Sequence, residues 1–398
     1  MKKHLLILLI IIPCSIWAGD FGLIVDQRVG FGGVTGDNNQ FDYTGVLLPR
    51  FSTLVGNNGE LFISAGLTVD YSSEEWTFIP ELLRTEFQWI FAMGDFRVGR
   101  MFYSDPLGII ATGLFDGAQI TFDTMAGSFS AGAWYTGFLF NDRANIAMTY
   151  SERQSLDASL DFDNFADTYF APSRALFALD WEHRYVAGGF LRAALSLICQ
   201  FDLTDEDVNT QYLALRLTYP LGALLFNLGG SLGFAQVSGD NQTFLAAQAG
   251  LEWTLPTSFA SRFSLLGRMA SGITNDESIH AFLPVTTISL SPVLQSGVSG
   301  LTMIHLDYSA RFNRQFALSL SSYYFIRNDL YTDDSFVSIA GNDGFFLGNE
   351  FFARLFWIPA SDVQLNLGAG LFLPSMGNVA PDVGNAWRIE FGLSVSLF

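Results

Sequence analysis

The sequence predicts an all-β fold: a transmembrane antiparallel up-and-down β-barrel. Three observations support this prediction. Hydrophobic residues make up 49% of the chain, Phe and Gly are abundant at 39 and 38 copies, and many successive segments alternate apolar and polar residues with a period of 2. A period of 2 places one face of a strand against lipid and the other against water. Beyond the first twenty residues there is no stretch of about 18 apolar residues, so a helical span is excluded there. Only a closed barrel then satisfies the backbone in lipid.

The N-terminus predicts export. Lys2 and Lys3 form a charged region, residues 5–12 form an apolar core, and Ala18 precedes the expected cleavage site. We therefore expect residues 1–18 to be a signal peptide that directs the protein to the cell outer membrane.

The remaining chain, residues 19–398, is predicted to be one barrel domain with little reactive chemistry. Its formal charge is −19 with the two signal-peptide lysines and −21 without them, which disfavours nucleic acid as a partner. Cys14 leaves a lipoprotein as an alternative, and cleavage leaves Cys199 without a disulfide partner. His305 and Asp307 share a strand face, but no recognisable nucleophile accompanies them. We expect no cofactor, no metal and no enzyme activity.

Segments of about 10 to 13 residues, long enough for a tilted membrane strand, recur through the chain. The alternation is clearest in residues 60–71 (ELFISAGLTVDY) and 387–397. The predicted strands begin near Phe21, Phe41, Glu60, Thr77, Asp95, Phe115, Ser128, Arg174, Phe190, Gln211, Ala223, Thr243, Ser261, Gly300, Gln315, Phe345, Val363 and Trp387. This gives eighteen strands, with sixteen or twenty as alternatives. Residues 283–294 also alternate, but a nineteenth strand would break the parity, so we place them in an external loop.

The connections between these strands support an even number. Short connections, such as residues 56–59, 93–94 and 359–362, fall at every second junction and should be periplasmic turns. The other connections carry polar runs and should face outside. Both termini then lie in the periplasm, and the longest external loop covers residues 141–173.

Most charged side chains of the strands are predicted to face inward, because an Arg facing lipid at mid-bilayer costs roughly 2 to 4 kcal/mol. Charges two residues apart share a face, as in Asp26/Arg28, Arg84/Glu86, Glu182/Arg184 and Arg388/Glu390. Facing rows of Arg and carboxylate would orient polar solutes, and salt bridges that only stiffen the wall are the alternative. The predicted pore-lining residues are Arg28, Arg84, Arg97, Arg184, Arg192, Arg216, Arg262, Arg268, Arg311, Glu86, Asp123, Asp180, Glu182 and Asp307.

Residues 97–124 (RVGRMFYSDPLGIIATGLFDGAQITFDT) resemble a known family. Their order is a Gly-Arg at the end of one strand, a loop, and Phe-Asp-Gly-Ala opening the next strand. This is similar to the corresponding region of bacterial porins and of outer-membrane channels of the alginate-export type. Met101 stands where the family usually has Gln. The resemblance implies a barrel of sixteen or eighteen strands with pore-lining charges.

The same resemblance implies a constriction loop. The loop Ser104 to Gly113, with Asp105, Pro106, Leu107 and Gly108, would fold into the lumen. It could instead cover the external rim, and the long loop of residues 141–173 is a rival plug. Phe398 resembles the terminal aromatic residue that the barrel-assembly machinery favours, although the outward alternation ends on Leu397.

The expected function is passive diffusion of small polar solutes or oligosaccharides across the outer membrane. A surface adhesin or structural barrel that binds ligands through its long acidic loops is the alternative. A fatty-acid-type transporter needs an N-terminal hatch of roughly 40 residues, whereas strand pattern starts here at Phe21. Few inward aromatic residues are expected, namely Tyr212, Tyr323 and Phe372, so a sugar-binding track is weakly indicated. The partners expected are outer-membrane lipid, the assembly machinery and a small polar solute. The solute, the ion selectivity and the oligomeric state are left open.

Overall fold

The structure is a computed structural model that describes residues 19–36, 39–72, 75–156, 160–186, 189–274, 278–329 and 344–397. The predicted signal peptide, including Lys2, Lys3 and Cys14, lies outside the described residues, as does Phe398. In the described ranges, no helix has both the length and the hydropathy that a membrane crossing requires.

Eighteen antiparallel strands form one sheet, as the alternation predicts. The strands are β1 Gly19–Val34, β2 Gln40–Val55, β3 Gly59–Ser72, β4 Glu75–Phe91, β5 Gly94–Ser104, β6 Thr112–Thr124, β7 Gly127–Tyr135, β8 Arg174–Val186, β9 Leu191–Asp202, β10 Val208–Leu221, β11 Leu224–Val237, β12 Asp240–Leu255, β13 Ala260–Ala270, β14 Leu301–Arg311, β15 Phe316–Arg327, β16 Phe346–Ala360, β17 Val363–Leu373 and β18 Ala386–Leu397. Each predicted strand start lies within three residues of an observed one.

The sheet closes on itself because β1 pairs with both β2 and β18. Val25 lies opposite Leu47 on one side and Val395 on the other. Closure at β1 removes the two end edges that an open sheet would present to lipid.

The outer surface is apolar, as a lipid-facing wall requires. In β10, Leu213 and Leu215 are 49% and 41% exposed, whereas Ala214 between them is fully buried. At one end of the barrel, aromatic rings of neighbouring strands contact one another: Tyr71 lies 4.9 Å from Trp76 between ring centroids, and Trp76 lies 5.7 Å from Tyr43. Such rings form the interfacial girdle of outer-membrane barrels.

All connections at one end of the barrel have two to four residues, and every longer connection lies at the other end. We call these the short-turn end and the long-loop end. In outer-membrane barrels the short turns are periplasmic and the long loops external. Three connections of the long-loop end are loop 5–6 (residues 105–111), loop 7–8 (residues 136–173) and loop 13–14 (residues 271–300).

Loop 7–8 contains three short helices, α1 Asn141–Ala144, α2 Tyr150–Leu156 and α3 Phe165–Tyr169. A 3-10 turn, Pro374–Met376, follows β17. Arg174, the fully buried first residue of β8, forms an ion pair with Glu152 of α2 and lies 3.6 Å from Asp202 of β9. Because removing one partner of a buried pair is costly, this contact anchors loop 7–8 to the rim.

One bulge alters the alternation within β4. Ser64 of β3 pairs with Arg84, but the next residue, Ala65, pairs with Leu82, so Leu83 is an extra residue. A bulge re-aims the side chains beyond it. In a regular strand, Glu81 and Arg84 would lie on opposite faces because they are three residues apart. The bulge between them allows both to face inward.

Candidate functional site

The barrel interior is apolar in its long-loop half, which explains why loops fill it. Inward-facing Met101, Phe115, Tyr212 and Phe244 are each at most 1% exposed. In an open, water-filled barrel these side chains would be hydrated, and covering them gains about 25 cal/mol per Å² of apolar surface. Loops 5–6 and 13–14 provide the cover, and their own apolar residues join the same cluster.

Loop 5–6 is organised by one carboxylate. Asp105 Oδ1 accepts N–H bonds from Leu107 (2.8 Å) and Gly108 (2.9 Å), and Oδ2 accepts from Ile110 (2.8 Å) and Ala111 (3.0 Å). Burial raises the pKa of this carboxyl above its usual value, and the four N–H bonds oppose that rise. Gly108 has a φ of 67°, a conformation that favours glycine. Hydrogen bonds to charged groups are the strong ones, so the carboxylate fixes the loop conformation.

Loop 5–6 reaches the wall formed by β10, β11 and β13. The carbonyl of Pro106 accepts from Arg216 Nη1 at 3.4 Å, and that of Leu107 accepts from Arg268 Nη2 at 3.5 Å. A Cβ at Gly229 would lie 2.4 Å from the Leu107 side chain, so the strand approaches the loop closely there. The loop therefore extends away from its own hairpin into the lumen.

Loop 13–14 also folds inward, and a second buried carboxylate holds it. Glu350 of β16 is fully buried and accepts from Ser291 Oγ (2.7 Å) and from the N–H groups of Val293 (3.0 Å) and Leu294 (2.9 Å). Tyr212 Oη donates to the Leu283 carbonyl at 2.5 Å. Residues 283–294 are thus a loop, as predicted, but this loop turns into the barrel because its apolar residues complete the interior cluster.

The three loops interlock. Val285 N–H donates to the Ile110 carbonyl at 2.7 Å, and Thr112 N–H donates to Thr286 Oγ1 at 2.8 Å. Thr287 N–H donates to the carbonyl of Asn145 in loop 7–8 at 2.8 Å. The rival plugs considered from the sequence are therefore parts of one structure, to which loop 13–14 also belongs.

Open space remains beside β16, β17, β18, β1 and β2. Two cavities, of 550 and 500 Å³, lie there and share Arg354 and Glu390 in their walls. The first cavity is lined mainly by polar residues of the strands. The second cavity is bordered by Arg354, Glu390 and Tyr323 on the wall and by the segment 289–295 of loop 13–14. We call the boundary between Arg354, Glu390 and this segment the constriction.

A chain of ion pairs runs along the open side. Arg354 Nη2 lies 3.0 Å from Glu390 Oε2, Arg388 Nε lies 2.8 Å from Glu390 Oε1, and Arg388 Nη2 lies 3.0 Å from Asp42 Oδ2. A Cβ at Gly30 would lie 2.2 Å from an Asp42 oxygen, so an inward glycine makes room for that carboxylate. With Asp26 and Arg28, the larger cavity carries three arginines and three carboxylates.

By strand parity, the predicted pore-lining residues lie on the inward face, opposite the exposed apolar residues, except that Arg184 stands within a register shift between His183 and Val186. Of the four predicted pairs, three form: Arg28–Asp26 at 3.4 Å, Arg84–Glu86 at 2.7 Å and Arg388–Glu390 at 2.8 Å. Others have different partners: Arg97 with Asp95 (3.5 Å), Arg262 with Glu252 (3.0 Å), Asp180 with Tyr103 (3.2 Å), and Asp307 with Ser319 (2.7 Å).

Within the described ranges, no ion pair to 4.0 Å involves Glu182, Arg184, Arg192, Arg216, Arg268 or Arg311. Asp123 lies next to the turn before β7. Only Arg28 of the fourteen lines the open cavity, so a pore-lining role for the rest stays a prediction.

Sequence reasoning missed several residues of this site. Arg354 lies in FFARLFW, where aromatic residues on both faces obscure the alternation. Asp42 follows directly on the predicted start of β2 and shares the parity of Thr44, so the signal was present. Inward aromatic residues are also more numerous than expected; besides Tyr212, Tyr323 and Phe372 they include Tyr103, Phe115, Trp134, Phe244, Phe325 and Phe352. They fail to form an exposed track because the loops cover them.

The histidine singled out from the sequence has a packing role. His305 stacks on Tyr323 with ring centroids 4.2 Å apart and planes 2° from parallel. Asp307 accepts from Ser319 and Ser321 instead. Among the described residues, no group of three or more His, Cys, Asp or Glu side chains is arranged to hold a metal ion.

Comparison with known proteins identifies the fold. No family model matches the chain, and no curated protein matches it by sequence. Several solved structures from Pseudomonas aeruginosa are similar. OccK5 (OpdH) has a TM-score of 0.63 at 12% identity over 95% of this chain and 98% of that one, and the outer membrane protein OprD has 0.61 at 13% over 96% and 94%. OccK2 (OpdF), solved in complex with glucuronate, has 0.61 at 12% over 96% of each chain. The expectation of a porin-type barrel is thus confirmed for the fold: this chain is an 18-stranded barrel of the type seen in OprD.

Proposed function

We propose that the protein is an outer-membrane channel for passive diffusion of small polar solutes, with its narrowest point at the constriction. The observation that carries this proposal is the pair of adjoining cavities on the open side, whose shared residues Arg354 and Glu390 are charged. A charged, hydrated passage through an otherwise filled barrel favours polar solutes over apolar ones.

Sugar acids are the solute class to test first. Arg28, Arg354 and Arg388 face the larger cavity, and the Arg28 side chain is 74% exposed. A guanidinium binds a carboxylate with two parallel N–H bonds. The glucuronate seen with OccK2, a protein of the same fold, agrees with this class.

Liposome swelling tests the proposed channel. Proteoliposomes are expected to swell in isotonic glucose and in isotonic glucuronate, two solutes of similar size that differ in charge. Protein-free liposomes serve as the control, and heat-modifiable migration on a gel verifies that the barrel is folded. A folded barrel that admits neither solute would contradict the proposal.

A non-conducting adhesin or structural barrel is the second candidate. Loop 7–8 favours it because Phe162 is 61% exposed and Phe170 is 38% exposed, near the acidic residues Asp161, Asp163 and Asp167. Exposed aromatic residues commonly mark contact surfaces. Absence of swelling together with a folded barrel would favour this candidate.

A further inference from the structure

The barrel wall is incomplete between two neighbouring strands. β4 pairs with β5 only from Thr85 opposite Arg100 down to Phe91 opposite Gly94. In the described part of the chain, residues 75–84 of β4 and 101–104 of β5 have no partners across this boundary. We call this gap the β4–β5 seam.

The seam lies at membrane depth. Trp76, 56% exposed, belongs to the aromatic girdle at the long-loop end. Pro80 is four residues closer to the short-turn end, which corresponds to roughly 10 Å of barrel height for a tilted strand. Carbonyl groups on the free edge of β4 therefore face a region where lipid offers no hydrogen bonds.

Side chains replace the missing backbone pairs. Arg100, only 6% exposed, donates to the carbonyls of Leu82 and Phe138, and its charge is balanced by Asp116 at 2.7 and 2.9 Å. Tyr169 Oη of loop 7–8 donates to the Pro80 carbonyl at 2.7 Å. The bonds that involve Phe138 and Tyr169 reach loop 7–8, so they can break when that loop moves, without unpairing a strand.

The surfaces on the inner and outer sides of the β4–β5 seam are apolar. On the inner side, Ile79, Phe140 and Tyr169 form a buried cluster with Leu160 and Phe165 of loop 7–8 packed against it. On the outer side, the exposed apolar residues Leu82, Phe102 and Phe138 flank the gap. Arg143, whose side chain is 45% exposed and paired with Glu81, adds a cation on the inner side.

We propose that the β4–β5 seam is a lateral opening for the alkyl chain of a single-chain carboxylate amphiphile, which passes between the outer leaflet and the apolar cluster behind β4. The chain contacts the cluster around Ile79, and the carboxylate binds Arg100 or Arg143 in place of the protein's own acids. This activity is separate from solute diffusion, since the open cavities lie along β16, β17, β18, β1 and β2.

Cysteine labelling from the lipid phase tests the opening. In a Cys199→Ser background, Ile79→Cys reports on the inner side of the seam. Ala214→Cys is the matched control, because Ala214 is buried, faces inward and is paired on both sides, to Ser196 and Ser231. With pyrene maleimide in liposomes, we expect labelling at residue 79 to be at least about tenfold faster than at residue 214, and dodecanoate to slow it.

Two further variants remove side-chain bonds across the seam. The double variant R100M/D116L removes both charges together and is expected to raise labelling at residue 79 by about another tenfold. Tyr169→Phe, which removes a single bond, should produce a smaller rise in a barrel that stays heat-modifiable. Equal labelling of the two reporters, or labelling that dodecanoate leaves unchanged, would overturn the proposal. Swelling in glucose should be unaffected by Tyr169→Phe, so failure of the seam and failure of the channel are distinguishable.

Discussion

Asp105→Ala is expected to increase single-channel conductance about two- to threefold. The carboxylate accepts four backbone N–H bonds within loop 5–6 and is itself 3% exposed. Hydrogen bonds to a charged group contribute about 1.5 to 3 kcal/mol each, so alanine removes most of what orders the loop. A disordered loop 5–6 also loses its bonds to loop 13–14, whose segment 289–295 borders the constriction. We therefore expect part of the filled lumen to open to ions. Planar-bilayer recordings measure the change.

Two variants control for this effect. Asp123→Ala removes a carboxylate of the same hairpin near the short-turn end, which takes no part in loop 5–6 and lines neither cavity, so it should change the conductance far less than Asp105→Ala. Asp105→Asn keeps one carbonyl oxygen that accepts N–H bonds, so its conductance should be intermediate. Equal conductance for wild type and Asp105→Ala would mean that loop 5–6 does not limit the passage.

Arg354→Gln is expected to lower the anion-to-cation permeability ratio about threefold. The cavity wall holds three arginines and three carboxylates, and the substitution leaves it with one net negative charge. Arg354 lines both cavities at the constriction, so its charge acts at the point that we propose to be the narrowest. Glu390 keeps its second partner, Arg388, at 2.8 Å, so the wall should remain folded. The reversal potential in a salt gradient gives the ratio.

Arg262→Gln is the matched control for Arg354→Gln. Arg262 faces inward and forms an ion pair with Glu252 at 3.0 Å, the same distance as Arg354 to Glu390. It is the third residue of β13, at the short-turn end, away from the constriction. A shift of similar size in both variants would show that net charge, rather than position at the constriction, sets selectivity.

The strands were predictable because a barrel repeats one simple constraint in each of them. Every strand separates lipid from the interior, so the period-2 pattern is repeated, and interruptions of the pattern mark the ends of the strands. The bulge at Leu83 was not predictable from the pattern, since one extra residue changes the facing of side chains without changing composition. The side-chain pairs Asp26/Arg28 and Arg84/Glu86 were predictable because they lie two apart in one strand.

The loops could not be predicted to the same degree. The alternation of residues 283–294 resembles a strand, but these residues bury their apolar side chains against other parts of the interior. Asp105 and Glu350 hold loops by bonds to N–H groups whose positions depend on the folded loop itself. Arg100 and Asp116 occupy positions whose side chains would normally face lipid. These charges are tolerated because Arg100 bonds a carbonyl of β4 that has no backbone partner in β5.

The structure assigns buried carboxylates a common role. Asp105, Glu350 and Glu152 are each at most 6% exposed, and each accepts hydrogen bonds from a loop or holds a buried Arg. A buried charge is tolerated only when it is paired or bonded in this way. The acidic composition of the chain is thus partly a means of fixing loops inside and above the barrel.

The single-channel conductance of the refolded protein in planar bilayers tests whether the barrel is a channel. The proposed channel predicts stable conductance steps in the wild type, which increase in Asp105→Ala and whose ion selectivity changes in Arg354→Gln. A folded, heat-modifiable barrel without conductance in the wild type and in Asp105→Ala would contradict it, and would indicate that the external loops carry the function.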